Sequence, residues 1–159
     1  MKRVIVKDSD LCTGCRTCEA VCSTFHEGRC NPAESRIRVI TYPDIGLNVP
    51  MSCSHCETPL CMQVCPKNAI YRDKDSSAVV INEEYCIGCL MCISVCPIGG
   101  IGINPIRGKI IKCDLCGGQP TCVEFCSEGA LQYLAADEVD TTQKRKSLKK
   151  CIELIEKGN

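Results

Sequence analysis

The stretch YCIGCLMCISVCPIGG, residues 85–100, sets thiols at Cys86, Cys89, Cys92 and Cys96 and follows them with Pro97. Clustered thiols either bridge one another or hold metal, and their spacing separates the two. Three further stretches carry the same rhythm. Cys12, Cys15, Cys18 and Cys22 stand in CTGCRTCEAVC, with gaps of two, two and three residues. Cys53, Cys56, Cys61 and Cys65 stand in CSHCETPLCMQVCP (two, four and three), and Cys113, Cys116, Cys122 and Cys126 in CDLCGGQPTCVEFC (two, five and three). These groups take all of the 18 cysteines except Cys30 and Cys151.

Composition favours metal over disulfides. In a chain of 159 residues, 18 cysteines exceed the roughly 8–10% that marks a cysteine-framed protein. Trp is absent and aromatics are 4%, so the usual large core-formers are scarce and something else fills the interior. The length suits one compact domain or two small fused ones. Disulfide frameworks belong to exported chains, and the opening MKRVIVKDSDLC has no apolar run of the kind that directs export. No stretch approaches the roughly 18 consecutive apolar residues of a membrane span, so no transmembrane segment is expected. The expected location is cytoplasmic, where clustered cysteines are metal ligands more often than bridges.

The rhythm itself has a physical reading. Three thiolates two residues apart come from a loop curled around one object, since a strand alternates their directions and a helix spreads them around its axis. The fourth follows EAV, MQV, ISV or VEF, each readable as a first helical turn, and is aimed elsewhere. In bacterial two-cluster ferredoxins the run C-x2-C-x2-C-x3-C-P binds 4Fe-4S clusters, and its fourth cysteine ligates the other cluster. Pro66 and Pro97 occupy the proline position. Paired C-x2-C units also build tetrahedral zinc sites, but zinc leaves the close third cysteine and the two prolines unexplained.

Between the groups the chain reads as short strands. AIYR, a DKDSS turn and AVVIN form a strand–turn–strand unit between the second and third groups. RVIVKD before Cys12 and GALQYL after Cys126 are matching outer flanks. RIRVITY and LNVP are strands separated by a Pro-Asp-x-Gly turn. IGGIGINPIRGKIIKC is Gly-rich and apolar, suited to close backbone approach and not to helix. In the C-terminal TTQKRKSLKKCIELIEKGN, Leu148, Cys151, Ile152 and Ile155 recur at helical spacing, which predicts a short amphipathic helix.

With these motifs in this order over residues 3 to about 135, the chain resembles the four-cluster ferredoxin-type electron-transfer subunits. These accompany molybdenum or tungsten pterin oxidoreductases, hydrogenases and carbon monoxide dehydrogenase. The resemblance implies an α+β fold of two fused ferredoxin-like 2×(4Fe-4S) units, one inserted within the other. Residues 1–26 and 104–136 would form the outer unit, 27–52 a connecting insertion, 53–103 the inner unit and 137–159 the helical tail. It implies four 4Fe-4S clusters with crossed ligands: Cys53, Cys56, Cys61 and Cys96; Cys86, Cys89, Cys92 and Cys65; Cys12, Cys15, Cys18 and Cys126; Cys113, Cys116, Cys122 and Cys22. Ser23 and Ser127 depart from the pattern where proline often follows the fourth cysteine, leaving the turn there open.

Sixteen thiolates saturate four such clusters, so no iron keeps an open position for substrate and no catalytic residue is assigned. The implied partner is a large catalytic oxidoreductase subunit containing a pterin, with a flavin subunit or ferredoxin at the other end. The small form is similar to the small subunits of tungsten aldehyde-oxidoreductase-type enzymes and of class II benzoyl-CoA reductase. Hydrogenase or carbon monoxide dehydrogenase association, or an iron–sulfur redox sensor, are the alternatives.

Other residues carry weaker signals. His55, inside CSHC, is the candidate for tuning a cluster by hydrogen bonding to sulfur. His26, after the first group in STFHEG, reads as structural. Cys30 and Cys151 read as free thiols. The 19 basic and 19 acidic residues balance before four clusters add about −8, a load for amide dipoles and for Arg16, Lys67, Arg107, Lys109 and Lys112 to offset. No basic stripe with interleaved aromatics suggests nucleic acid.

Overall fold

The computed structural model describes residues 3–136 together with 138, 139 and 148. The helical tail expected from residue 137 onward lies, apart from those three positions, outside the described residues. The elements are β1 (Arg3–Lys7), α1 (Thr17–Glu27), β2 (Arg38–Tyr42), β3 (Leu47–Met51), α2 (Leu60–Gln63), β4 (Ile70–Arg72), β5 (Val79–Ile81), α3 (Met91–Ser94), β6 (Ile101–Ile103), β7 (Ile110–Lys112), α4 (Thr121–Glu124) and β8 (Leu131–Ala135). Short 3-10 turns cover Pro32–Glu34, Pro43–Ile45 and Leu115–Gly118. The architecture is α+β. Among the described residues no helix is long and apolar enough to cross a membrane.

The strands form four antiparallel pairs: β1 with β8, β2 with β3, β4 with β5 and β6 with β7. The outer flanks meet, with Arg3 opposite Ala135 and Lys7 opposite Leu131. In the β4–β5 hairpin the Asp73 carboxylate closes the turn by accepting from the Ser76 backbone N–H (2.8 Å) and hydroxyl. The β2–β3 hairpin turns through Pro43–Ile45, with Gly46 at φ 64. The Gly-rich segment, read as unsuited to helix, folds into the strands β6 and β7. Its side-chain-free approach is real at Gly100, where an added Cβ would stand 2.8 Å from the Cys53 Cα.

Helices of four residues do not persist alone, because nucleation costs more than one turn returns. Here α2, α3 and α4 each begin one residue before the third cysteine of a group, at Cys61, Cys92 and Cys122. Pro59 and Pro120 precede α2 and α4, whereas left-handed Arg16 (φ 60) and Leu90 (φ 65) precede α1 and α3. α1 packs on α4 and α2 on α3.

Two cores result, each a ring of aliphatic side chains around thiols. The first joins Ile5, Ile37, Leu115 and Leu131 with Cys22, Cys53, Cys113 and Cys122. The second joins Ile70, Val79, Ile101 and Ile110 with Cys92, and packs against Cys61, Cys65, Cys86 and Cys96. The 27–52 segment is bound to α1 and to Asn104, just after β6, by buried carboxylates. Glu19 on α1 accepts from the Val39 N–H (2.6 Å). The Glu34 carboxylate takes Arg29 (2.7 and 2.7 Å), Asn31 (3.0 Å) and Asn104 (2.9 Å), and the Arg29 guanidinium foremost holds it down at about 2.

Gly100→Ala tests the close approach. Overpacking against the Cys53 backbone should cost about 1–3 kcal/mol, read as a lower denaturation midpoint; an unchanged midpoint would contradict the packing described.

Candidate metal centres

All four thiol groups share one backbone device. The residue just before each second cysteine is left-handed: Gly14 (φ 75), His55 (φ 47), Gly88 (φ 68) and Leu115 (φ 60). Reversing the sign of φ turns successive N–H groups toward one concavity, the nest found at anionic and Fe–S sites. Glycine takes this conformation freely, so the first and third groups use it; His55 and Leu115 adopt it at a cost in backbone energy.

The turn after the fourth cysteine also repeats. The N–H of Asn68, Gly99 and Gly129 donates to the carbonyl of Cys65, Cys96 and Cys126, at 3.1, 3.3 and 3.1 Å. In two of these groups the next N–H reaches sulfur: Ala69 to Cys65 Sγ (3.3 Å) and Gly100 to Cys96 Sγ (3.2 Å). Ser127 therefore supports the same turn as Pro66 and Pro97. Ser23 does not, because α1 runs on to Glu27, and the Ser23 hydroxyl bonds back to the Ala20 carbonyl (2.8 Å). The N–H to Cys22 Sγ comes instead from Arg36 (3.4 Å).

Three cavities gather the thiols. One is lined by Cys65, Cys86, Cys89 and Cys92. A second is lined by Cys12, Cys15, Cys18 and Cys126, and a third by Cys22, Cys113, Cys116 and Cys122. Of the remaining four, Cys61 lies in the electrostatic reach of Cys53 and Cys96, and Cys56 is exposed. Every described cysteine is a free thiol. Cys15, Cys30 and Cys89 are also exposed. A wider cleft lined by Arg36, Asp73, Glu83 and Lys112 holds no thiol.

Burial works against charge on these sulfurs. It pushes Cys18 and Cys113 up to about 12 and raises Cys61, Cys92, Cys116 and Cys122 as well. Thiolate is the metal-binding form, so loading the centres displaces protons, and the bound cation supplies what the apolar surroundings withhold.

The charged and imidazole groups differ from their sequence reading in part. Arg107 and Lys109 pair with Glu83 at 3.2 and 3.3 Å, and Arg107 also with Glu27 at 3.0 Å, instead of facing the thiols. Lys112 is buried and donates to the Val79 and Cys113 carbonyls. Lys7, not singled out in the sequence because it ends a strand of ordinary alternation, donates to the Ser52 carbonyl (3.0 Å), with Cys113, Cys53, Cys122 and Cys56 around it. His26 has a partner far off in sequence: its Nε2 lies 3.4 Å from Asp114 Oδ1 and 3.7 Å from Cys116 Sγ. His55 is buried, and its Nδ1 accepts from the Val79 N–H at 3.0 Å. Burial first, and then Lys112, pushes its ring down to about 3, so the ring is neutral.

Sulfur-only quartets, converging amides and dry surroundings fit iron–sulfur clusters of the 4Fe-4S kind. Fold and donors together define a ferredoxin-like metal-cluster protein, and residues 46–136 match the 4Fe-4S dicluster domain family. The chain belongs to that family. It is 48% identical over 120 residues to the "Aliphatic sulfonate oxidoreductase, polyferredoxin-like subunit" of Pyrococcus furiosus, covering 75% of this chain and 68% of that one. It is 38% identical over 152 residues to a subunit of the anaerobic dimethyl sulfoxide reductase of Escherichia coli strain K12, covering 83% and 73%. A polypeptide in the structure of the active site complex BamBC of benzoyl coenzyme A reductase, in complex with zinc, superposes with a TM-score of 0.51 at 29% identity. The match covers 95% of this chain and 90% of that one.

Stripping the metal tests whether the thiols are the core. Chelation under reducing conditions should abolish cooperative unfolding and lower helical circular dichroism, since single-turn helices such as α2, α3 and α4 do not persist on their own. A metal-free chain that still melts cooperatively would contradict this.

Proposed function

We propose that this chain is a non-catalytic electron conductor holding four 4Fe-4S clusters in a line. The carrying observation is that each thiol-lined cavity draws three cysteines from one group and the fourth from another group, as crossed ligation requires. Cys53, Cys56, Cys61 and Cys96 are the remaining set.

The reading includes two fused ferredoxin-like units, residues 53–103 within 1–26 and 104–136, joined by 27–52. The β1–β8 pairing and the packing of α1 on α4 and of α2 on α3 support it. The order in the line is supported by Cys53 of the inner unit acting electrostatically on Cys113 of the outer one. The clusters of Cys53 and of Cys113 stand in the middle, and those of Cys86 and Cys12 at the ends.

Clusters held there exchange single electrons. The chain's own residues fix their positions, surround them with aliphatic side chains and aim N–H groups at sulfur. With all sixteen thiolates used, no iron is left to bind substrate, and the chemistry belongs to a partner.

The partner we favour is a large oxidoreductase subunit with a molybdenum or tungsten pterin, on the strength of the sulfonate and dimethyl sulfoxide enzymes whose subunits this chain resembles. A flavin subunit or ferredoxin would meet the other end. Both ends present exposed apolar side chains beside their cysteines, Tyr85, Ile87 and Leu90 at one and Leu11 and Phe125 at the other, which suits docking.

Anaerobically reconstituted chain should carry about sixteen irons and as many sulfides. Crossing makes a sharper demand. Cys65→Ser should alter the same paramagnetic signal as Cys89→Ser and leave that altered by Cys56→Ser intact; if Cys65→Ser and Cys56→Ser strike one signal, ligation stays within a group and the scheme is wrong.

A further inference from the structure

Two buried side-chain polar atoms among the described residues have no hydrogen-bond partner: Ser52 Oγ and His55 Nε2. Both belong to one loop, on either side of Cys53, between β3 and α2. Ser52 is 3% exposed and His55 1%. A buried donor left unpaired forfeits its hydration with nothing in return, so such an atom in a folded protein calls for a partner.

The local chemistry defines what that partner must be. The Val79 N–H points at His55 Nδ1, so this nitrogen is an acceptor and the ring proton sits on Nε2. Nε2 is therefore a donor in need of an acceptor. The Ser52 and Val79 carbonyls already accept from Lys7 Nζ and Lys112 Nζ. Cysteine sulfur is the acceptor this loop itself carries, at Cys53 and Cys56. Ser52 lines the cavity of Cys22, Cys113, Cys116 and Cys122, and His55 stands between Cys53 and Cys56. His55 holds a left-handed backbone (φ 47), a conformation that Asn adopts readily among non-glycine residues.

We propose that Ser52 Oγ–H and His55 Nε2–H donate to the sulfurs of the two central clusters. Ser52 serves the cluster of Cys113 and His55 that of Cys53, so one four-residue loop sets both midpoint potentials. This rests on the cluster assignment above. A reduced cluster carries one more negative charge than an oxidised one, so a donor to its sulfur stabilises the reduced form more and raises the potential.

The test uses the full chain with its clusters, in anaerobic redox titrations followed by paramagnetic resonance. Ser52→Ala deletes an atom with no protein partner. It should leave iron and sulfide content unchanged and shift a single midpoint downward, and Ser52→Thr, which keeps the hydroxyl, should restore it. His55→Asn keeps an acceptor for the Val79 N–H and tolerates the backbone, but cannot reach as far as Nε2. It should lower a second, different midpoint.

One measurement needs no His55 variant. With only two histidines in the chain, a His26→Gln background labelled with histidine carrying 15N in the ring alone should show nitrogen coupling from the His55 imidazole on a reduced cluster. Unmoved midpoints in Ser52→Ala and His55→Asn at full iron content, or an absent nitrogen coupling, would overturn the inference while leaving the cluster assignment intact. A wild-type chain short of iron would instead overturn the assignment.

Discussion

Sulfur must be a thiolate to hold iron, and this chain buries its sulfur where a lone thiolate is disfavoured. The rest of the structure follows from that conflict. Cys18 and Cys113, pushed up to about 12 by their surroundings, cannot be charged at neutral pH without a compensating cation. The chain supplies partial compensation in amides, through the left-handed residue before each second cysteine and the N–H groups of Arg36, His55, Ala69 and Gly100 on sulfur. The Lys7 and Lys112 amino groups stand near the thiols of Cys53 and Cys113. Iron would complete the balance, which makes metal binding and folding one process.

The same constraint explains the secondary structure. With no Trp and few aromatics, the elements are single turns and short hairpins gathered around the thiols. α1 is the exception at eleven residues. It runs past Cys22 and Ser23, and its buried Glu19 and Glu27 bind the 27–52 segment and Arg107.

Much of this was legible in the residues themselves. Cysteine spacing marks the loops, the start of each helix and the family, and β-rich flanks mark β1, β8 and the β4–β5 hairpin. What stayed hidden involves partners distant in sequence. Lys7 looks like the polar end of an edge strand until folding brings Ser52 beside it, and His26 meets Asp114 only when the fold brings it from 88 positions away. β6 and β7 are concealed because Gly99, Gly100 and Gly102 lower strand propensity at a place where close approach to Cys53 matters more than propensity. Sequence marked His55 as a tuning residue; only the structure shows which of its nitrogens is free.

The central claim is that each group of cysteines shares its fourth thiol with another group, making a line of four saturated centres. Diffraction at the iron absorption edge from anaerobically grown crystals tests it most directly. Four anomalous peaks in a row should appear, with Cys126 beside the iron held by Cys12, Cys15 and Cys18, and Cys65 beside that held by Cys86, Cys89 and Cys92. Fewer than four peaks, or fourth cysteines ligating within their own groups, would contradict the account.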